Sequence, residues 1–134
     1  MKNVTIAALA VALALVLALE ASARARKAEG PKLAHMVFFK LKDSSREAVD
    51  KFIASAEKCL SKHDGSVYFS VGTKADDVDE PVSAKDFDVA LHIVFDSKEG
   101  KLRYLKDPRH DQFVEENRAQ FDKVRVYDSY LVKE

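Results

Sequence analysis

Apolar residues alternate with other residues in four stretches of the chain, which is the pattern of β-strands. In residues 33–41 both alternating sets are largely apolar, so we expect this strand to be covered on both faces. Residues 66–73 and 87–95 also alternate, and the second of these stretches is the clearest strand signal in the sequence. A final alternation predicts a strand over residues 123–132.

Helical patterns separate these strands. The first is an amphipathic stripe made of Val49, Phe52, Ile53, Ala56 and Leu60. Ser44 and Glu47 form a predicted capping box at its start, and Asp64-Gly65 is expected to end it. Residues 97–106 predict a second, short helix that ends before Pro108, because proline disfavours the helical conformation in the residue before it.

A third helical piece is expected through about residue 120, which gives the element order βαββαβ. This order predicts one α+β domain over residues 33–132, with helices covering one face of a single sheet. The opposite face then carries many large apolar groups: Ala34, Met36, Phe38, Tyr68, Ala90, Val94, Tyr127 and Leu131. We expect two subunits to bury this face in a homodimer. The alternative is that the C-terminal segment or the loop at 74–86 covers it.

The N-terminal region has the composition of an export signal. Residues 1–23 comprise a positive start, an apolar run and small residues at positions 21–23, so we expect a signal peptide cleaved before Arg24. Residues 24–32 are a polar linker. The apolar run is shorter than the ~20 residues that span a bilayer, so we expect a periplasmic or secreted protein without stable membrane insertion after cleavage. An uncleaved signal-anchor, which would tether the protein to the membrane, is the alternative.

Charge and cysteine content exclude several classes of protein. The 22 basic and 22 acidic residues give a formal net charge of zero, so no nucleic-acid partner is expected. Cys59 is the single cysteine, which rules out an intrachain disulfide, and its place in the helical stripe predicts a buried thiol. The acidic residues of 76–80 match no calcium-loop spacing and are expected to form a solvated loop. No motif for a metal or a cofactor occurs, and none is expected.

Four histidines are the candidates for chemistry. His63 is expected to cap a helix end in solvent, and His92 to have a structural role on the apolar sheet face. His35 shares the opposite, helix-facing side of its strand with Val37 and Phe39. A small apolar ligand between the sheet and the helices is expected to contact His35, Val37, Phe39, Val124 and Val126.

His110 and Tyr104 form the candidate catalytic pair. A Pro-x-His turn between two helical pieces can direct His110 into the layer between helices and sheet, which Tyr104 can also reach. A histidine base and a tyrosine donor in an apolar cleft can remove a proton beside a carbonyl and stabilise the resulting oxyanion. The alternative is that His110 bonds backbone groups at the helix break while Tyr104 fills the core.

Residues 33–132 resemble the stress-responsive A/B barrel domain, also called the dimeric α/β barrel or Dabb domain. The resemblance rests on the strands at 35–42, 67–72 and 87–95, and above all on Tyr-Leu-Lys-Asp-Pro-Arg-His-Asp-Gln-Phe at 104–113. This stretch is similar to the family's Tyr-x-x-His-Pro-x-His-x-x-Phe, with Asp107 in place of the first histidine. The resemblance implies a ferredoxin-like fold whose sheets pair across a homodimer to form a barrel.

The resemblance also implies functional residues. An enzymatic member of the family, olivetolic acid cyclase, closes a linear polyketide by aldol condensation with a histidine base and a tyrosine. Through the shared motif these roles fall on His110 and Tyr104, and a pocket-lining histidine falls on His35. We expect an exported homodimer that is non-catalytic or binds a small apolar ligand. The alternatives are a cofactor-free cyclase, lyase or isomerase acting on a carbonyl compound, and a small dimeric-barrel monooxygenase.

Overall fold

A computed structural model describes residues 30–133 as one four-stranded antiparallel sheet with helices on one side. The elements are β1 (Leu33–Leu41), α1 (Arg46–Leu60), β2 (Ser66–Thr73), β3 (Val89–Phe95), α2 (Lys98–Tyr104), α3 (Pro108–Asn117), a 3₁₀ turn (Arg118–Gln120) and β4 (Phe121–Tyr130). The strand order is β2-β3-β1-β4, so β2 and β4 are the edge strands. The predicted α+β, ferredoxin-like βαββαβ fold is confirmed.

The predicted signal peptide at 1–23 and most of the linker at 24–32 lie outside the described residues. Within residues 30–133, no helix has the length and apolarity needed to cross a membrane.

The element boundaries differ from the prediction in ways that side-chain hydrogen bonds explain. Ser45, not Ser44, caps α1, because its hydroxyl accepts from the Ala48 amide. Ser44 instead donates to a carboxylate oxygen of Asp88, just before β3, at 3.1 Å. That carboxylate also accepts from the amide of Leu41, so Asp88 holds the end of β1 in place. The strand β3 begins at Val89 rather than at residue 87.

The helix α1 ends at Leu60, earlier than predicted, because the chain turns at once into residues 61–65. Lys62 and Gly65 in this turn have positive φ angles, of 56° and 84°. A Cβ on Gly65 would lie 3.0 Å from the Cα of Gly100 in α2. A Cβ on Gly100 would lie 2.6 Å from a carboxylate oxygen of Asp96. The turn and α2 are therefore in direct backbone contact, which only glycine permits.

The layer between helices and sheet holds the core. We call the cluster of Phe39, Phe52, Phe113 and Phe121 the aromatic core. The ring centroid of Phe52 lies 4.9 Å from that of Phe39 and 5.4 Å from that of Phe113, in edge-to-face arrangements. Edge-to-face pairs are favourable because the positive edge of one ring meets the negative face of another. The predicted burial of Cys59 is confirmed.

The other sheet face, which we call the outer face, carries a second aromatic group. Phe38 packs against Phe87, His92 and Tyr127, with centroids 5.0 to 6.1 Å apart. Tyr68 and Tyr127 are about half exposed there. Val67 lies at a register shift in β2 and is exposed. The predicted acidic loop is exposed, and Lys85 donates from within it to the carbonyl groups of Ala75 and Val78.

Candidate functional site

A cavity of about 170 Å³ opens between the sheet and the junction of α2 and α3; we call it the cleft. All seven predicted site residues border it: His35, Val37, Phe39, Tyr104, His110, Val124 and Val126. The remaining walls are apolar and include Leu105, Phe113 and Val114. Val124 and Val126 are 41% and 50% exposed, because β4 is an edge strand. The cleft is therefore open along β4.

Tyr104 lies at the end of α2, at the inner end of the cleft. Its side chain is almost fully buried, and its ring centroid lies 4.9 Å from that of His110 and 6.0 Å from that of His35. Burial raises the pKa of Tyr104 above its ordinary value, so its hydroxyl keeps its proton. Within residues 30–133 no group forms a hydrogen bond with that hydroxyl. The phenol hydroxyl is thus a hydrogen-bond donor without an acceptor among the described residues.

His110 is placed by the first turn of α3. Asp107 caps this helix by accepting from the Arg109 amide, and Pro108 occupies the first helical position. Nδ1 of His110 is buried, and no described residue hydrogen-bonds to it. The nearest carboxylate oxygen belongs to Asp111, at 3.9 Å, too far for a hydrogen bond. Burial lowers the pKa of His110, and the negative charge of Asp111 only partly opposes this, so the imidazole is neutral at pH 7.

The alternative role for His110, bonding backbone groups at the helix break, is absent from the part of the chain that the structure describes. A buried polar nitrogen without a partner destabilises a folded protein by about 1–3 kcal/mol. Such a group needs an explanation, and an unfilled ligand site is one of the usual ones.

His35 is held by two charged residues that the sequence analysis did not single out. It lies opposite Asp128 in the β1–β4 register, and its Nδ1 donates to a carboxylate oxygen of Asp128 at 2.7 Å. Lys101 of α2 donates to the other oxygen of this carboxylate. Because an ionised carboxylate only accepts, the proton of neutral His35 is on Nδ1, and Nε2 has a free lone pair.

The ionisation of this group follows from burial and pairing. Burial lowers the pKa of His35, although the hydrogen bond to Asp128 opposes this. For Asp128, burial alone would raise the pKa, but hydrogen bonds from Lys101 and His35 outweigh it and hold the pKa below the usual value. At neutral pH the group is a neutral imidazole beside a Lys–Asp ion pair. A polar residue that continues the inward alternation of Val124 and Val126 is the sequence signal that points to Asp128.

The prediction for His63 is confirmed for the helix end, where it bonds a carbonyl, and is wrong for solvent exposure. Its side chain is 1% exposed rather than solvated. Nε2 donates to the Cys59 carbonyl at 2.8 Å, and Nδ1 lies 3.1 Å from a carboxylate oxygen of Asp107. The ring meets Tyr104 edge to face at 4.8 Å. His63 does not border the cleft, but it packs against a residue that does.

The chain matches one known protein family over most of its described length. A family model described as the stress responsive A/B barrel domain, or Dabb, matches residues 33–131. The chain belongs to this family. In this Dabb domain the departure at Asp107 from the family motif has a structural role, since Asp107 both caps α3 and faces His63.

Solved structures share the fold of this Dabb domain at low sequence identity. A Dabb family protein with a ferredoxin-like fold from Mesorhizobium loti is 24% identical, with a TM-score of 0.64 over 78% of this chain and 100% of its own. A hydroxynitrile lyase from Passiflora edulis is 21% identical, with a TM-score of 0.64 over 78% and 96%. A dimeric ferredoxin-like protein of unknown function from Thermobifida fusca is 16% identical, with a TM-score of 0.65 over 77% and 93%. No curated protein sequence is significantly similar to the chain.

Proposed function

We propose that the mature protein is an exported, homodimeric Dabb domain that binds a small apolar carbonyl compound in the cleft and moves a proton on it. The observation that carries this proposal is the neutral, partly unpaired imidazole of His110 packed against the protonated phenol of Tyr104 in an apolar cleft. Removal of a proton next to a carbonyl requires a neutral base and, beside it, a hydrogen-bond donor without another partner.

The roles of the residues follow from their protonation states. His110 takes a proton from the carbon beside the carbonyl, and Tyr104 donates a hydrogen bond to the enolate oxygen that forms. The His110 side chain is 23% exposed, so its proton can exchange with solvent before it returns to carbon. His35, fixed in one tautomer by Asp128, presents a second acceptor on the opposite wall. The lyase with the same fold supports an enzymatic interpretation of this architecture.

The size of the cleft limits the ligand. Apolar cavities of about 150 Å³ in proteins admit a molecule the size of benzene. The cleft, at about 170 Å³, therefore suits a single six-membered ring or a short branched chain with one carbonyl oxygen. Its open side along Val124 and Val126 leaves room for a substituent to extend towards solvent.

The test uses cyclohexanone, an apolar ring with exchangeable protons beside its carbonyl. Exchange of these protons for deuterium in D₂O is followed by NMR with wild-type protein, His110→Ala and Tyr104→Phe. We expect each variant to lose about 10²-fold or more of the enzyme-dependent rate, the usual contribution of a general base or an oxyanion donor. His92→Ala and Tyr130→Phe are the matched controls, because both residues lie outside the cleft lining.

Two other results would change the function. Saturable binding of cyclohexanone without exchange would make the protein a ligand-binding domain, the non-catalytic form of the proposal. If a panel of small ketones and aldehydes showed neither binding nor exchange, the cleft would be ruled out as a ligand site. The monooxygenase alternative stays a prediction, and no residue of the cleft favours it over proton transfer.

The homodimer is proposed to form through the outer face. Phe38, Tyr68 and Tyr127 present apolar surface there, and a relative with this fold is described as dimeric. Sedimentation of Tyr127→Glu should give a folded monomer, whereas Val82→Glu in the exposed loop should sediment as the wild type does. A monomeric wild-type protein would contradict the dimer.

Export is proposed from residues 1–23 alone. Expression of the full chain in a bacterium with a signal peptidase should release a protein whose intact mass begins at Arg24. Recovery of the uncleaved mass in the membrane fraction would instead identify a signal-anchor.

A further inference from the structure

His63 and Asp107 form a pair next to Tyr104, and neither residue borders the cleft. The His63 side chain is 1% exposed, and both of its ring nitrogens face oxygen atoms. Nε2 is 2.8 Å from the carbonyl of Cys59, and Nδ1 is 3.1 Å from a carboxylate oxygen of Asp107. A carbonyl can only accept, so Nε2 donates to Cys59, and the other ring nitrogen faces the Asp107 carboxylate.

The carboxylate of Asp107 is ionised. The hydrogen bond from the Arg109 amide is the main cause that lowers the pKa of Asp107 below its usual value. The Arg109 guanidinium lies 3.5 Å from the oxygen that accepts from this amide, whereas His63 faces the other oxygen. The guanidinium also donates to the carbonyl of Ser61 at 3.2 Å. The groups that face His63 are thus Asp107, Tyr104 and the Cys59 carbonyl, with Arg109 and His110 as the nearby basic groups.

The pair connects the turn at 61–65 to the segment that carries the candidate site. The Tyr104 ring meets His63 at a centroid distance of 4.8 Å and His110 at 4.9 Å, in both cases edge to face. The amide of Asp107 donates to the Tyr104 carbonyl at 3.1 Å, so the residue that pairs with His63 also closes the turn after Tyr104. Loss of the pair would free the Tyr104 ring from its contact with His63.

We propose that the His63–Asp107 pair is a positioning device for the acid–base site: His63, held by Asp107 and the Cys59 carbonyl, fixes the Tyr104 ring against His110. The expected effect of the pair on catalysis rests on the proposed function, whereas the existence of the pair does not. It also explains the departure of position 107 from the family motif, because a histidine at 107 would give His63 no negative partner.

The decisive variant is Asp107→Asn, which removes the charge with little change of shape. Asparagine is also a good helix N-cap, so α3 should keep its start. The neutral asparagine side chain should hold the His63 ring less firmly than the carboxylate does. Misplacement of the Tyr104 ring should lower kcat for cyclohexanone exchange by about tenfold to a hundredfold, with KM changed less than twofold. Asp107→Glu should recover part of kcat, and Asp50→Asn on the exposed surface of α1 is the charge control.

Two NMR measurements separate this inference from the proposed function. In nitrogen-15 correlation spectra of the histidine rings, the Nδ1 resonance of His63 should shift in Asp107→Asn, because that atom loses its carboxylate partner. The ring resonances of Tyr104 should shift in the variant, whether or not the protein turns over a ketone. An unchanged Nδ1 resonance of His63 in Asp107→Asn would overturn the pair. A shifted Nδ1 resonance combined with unchanged Tyr104 resonances would overturn the positioning role.

Discussion

The two ends of the layer between helices and sheet have opposite chemistry. At one end the aromatic core, Phe39, Phe52, Phe113 and Phe121, packs ring against ring without a polar atom in its side chains. At the other end three of the four rings around Tyr104 are histidines, His35, His63 and His110, and the fourth is Phe95. Both ends occupy the same layer and are buried by the same elements. Burial therefore explains the first end, but not the chemistry of the second.

The difference shows where the fold accepts a loss of stability. Phenylalanines in place of these histidines would bury more apolar surface and leave no unpaired nitrogen. The Tyr104 end instead holds the Asp128–Lys101 ion pair, the Asp107–His63 contact and the orphaned Nδ1 of His110. Sites that carry such groups at the expense of packing are typically functional.

The largest expected effect on stability comes from a substitution in the aromatic core. Phe52→Ala should lower the free energy of unfolding by about 3–5 kcal/mol, because it removes a fully buried ring and leaves a cavity. Urea denaturation monitored by circular dichroism measures this change. The rate of cyclohexanone exchange per folded molecule should fall less than it does in Tyr104→Phe. An equal fall would mean that the two ends are not separable.

A smaller loss of stability is expected from a substitution at the edge of the cleft. Asp128→Ala leaves the His35 Nδ1 and the Lys101 ammonium without their acceptor. The free energy of unfolding should fall by about 1–2 kcal/mol, the lower part of the usual range, because Asp128 is partly exposed to solvent. Asp50→Ala, whose ion pair is on the surface, should change it by less than about 0.5 kcal/mol in the same titration.

Acid should weaken the histidine end before the aromatic core. The pKa values of His35 and His110 are lowered in the folded protein, so between these values and 6.5 the unfolded chain binds more protons. Stability is therefore complete above pH 6.5 and decreases as the pH falls below it. Unfolding free energies measured from pH 8 to pH 5 should show this slope, and His110→Gln should reduce it. A flat profile would show that neither histidine is neutral and buried.

The smallest effect on stability is expected where the effect on activity is large. Tyr104→Phe keeps the ring and removes a hydroxyl that has no hydrogen-bond partner among the described residues. Its free energy of unfolding should stay within about 0.5 kcal/mol of the wild type, whereas exchange should fall about 10²-fold. A loss of stability above 1–2 kcal/mol would identify the hydroxyl as structural.

The element order and the cleft lining follow from sequence periodicity, because alternation and helical stripes decide which side chains face the interior. Val37, Phe39, Val124 and Val126 were placed on one face by that rule, and they border one cavity. The charged partners could not be found in the same way. Pairing of Asp128 with His35 depends on strand register, and pairing of Asp107 with His63 depends on how a five-residue turn packs against a helix. Neither is encoded in local spacing.

Gly65 sets how closely the turn at 61–65 approaches α2. A Cβ on Gly65 would lie 3.0 Å from the Cα of Gly100 and 2.9 Å from a guanidinium nitrogen of Arg103. A larger residue at position 65 would therefore separate the turn from the helix that ends at Tyr104. The spacing behind the candidate site is thus maintained by a residue that does not border the cleft.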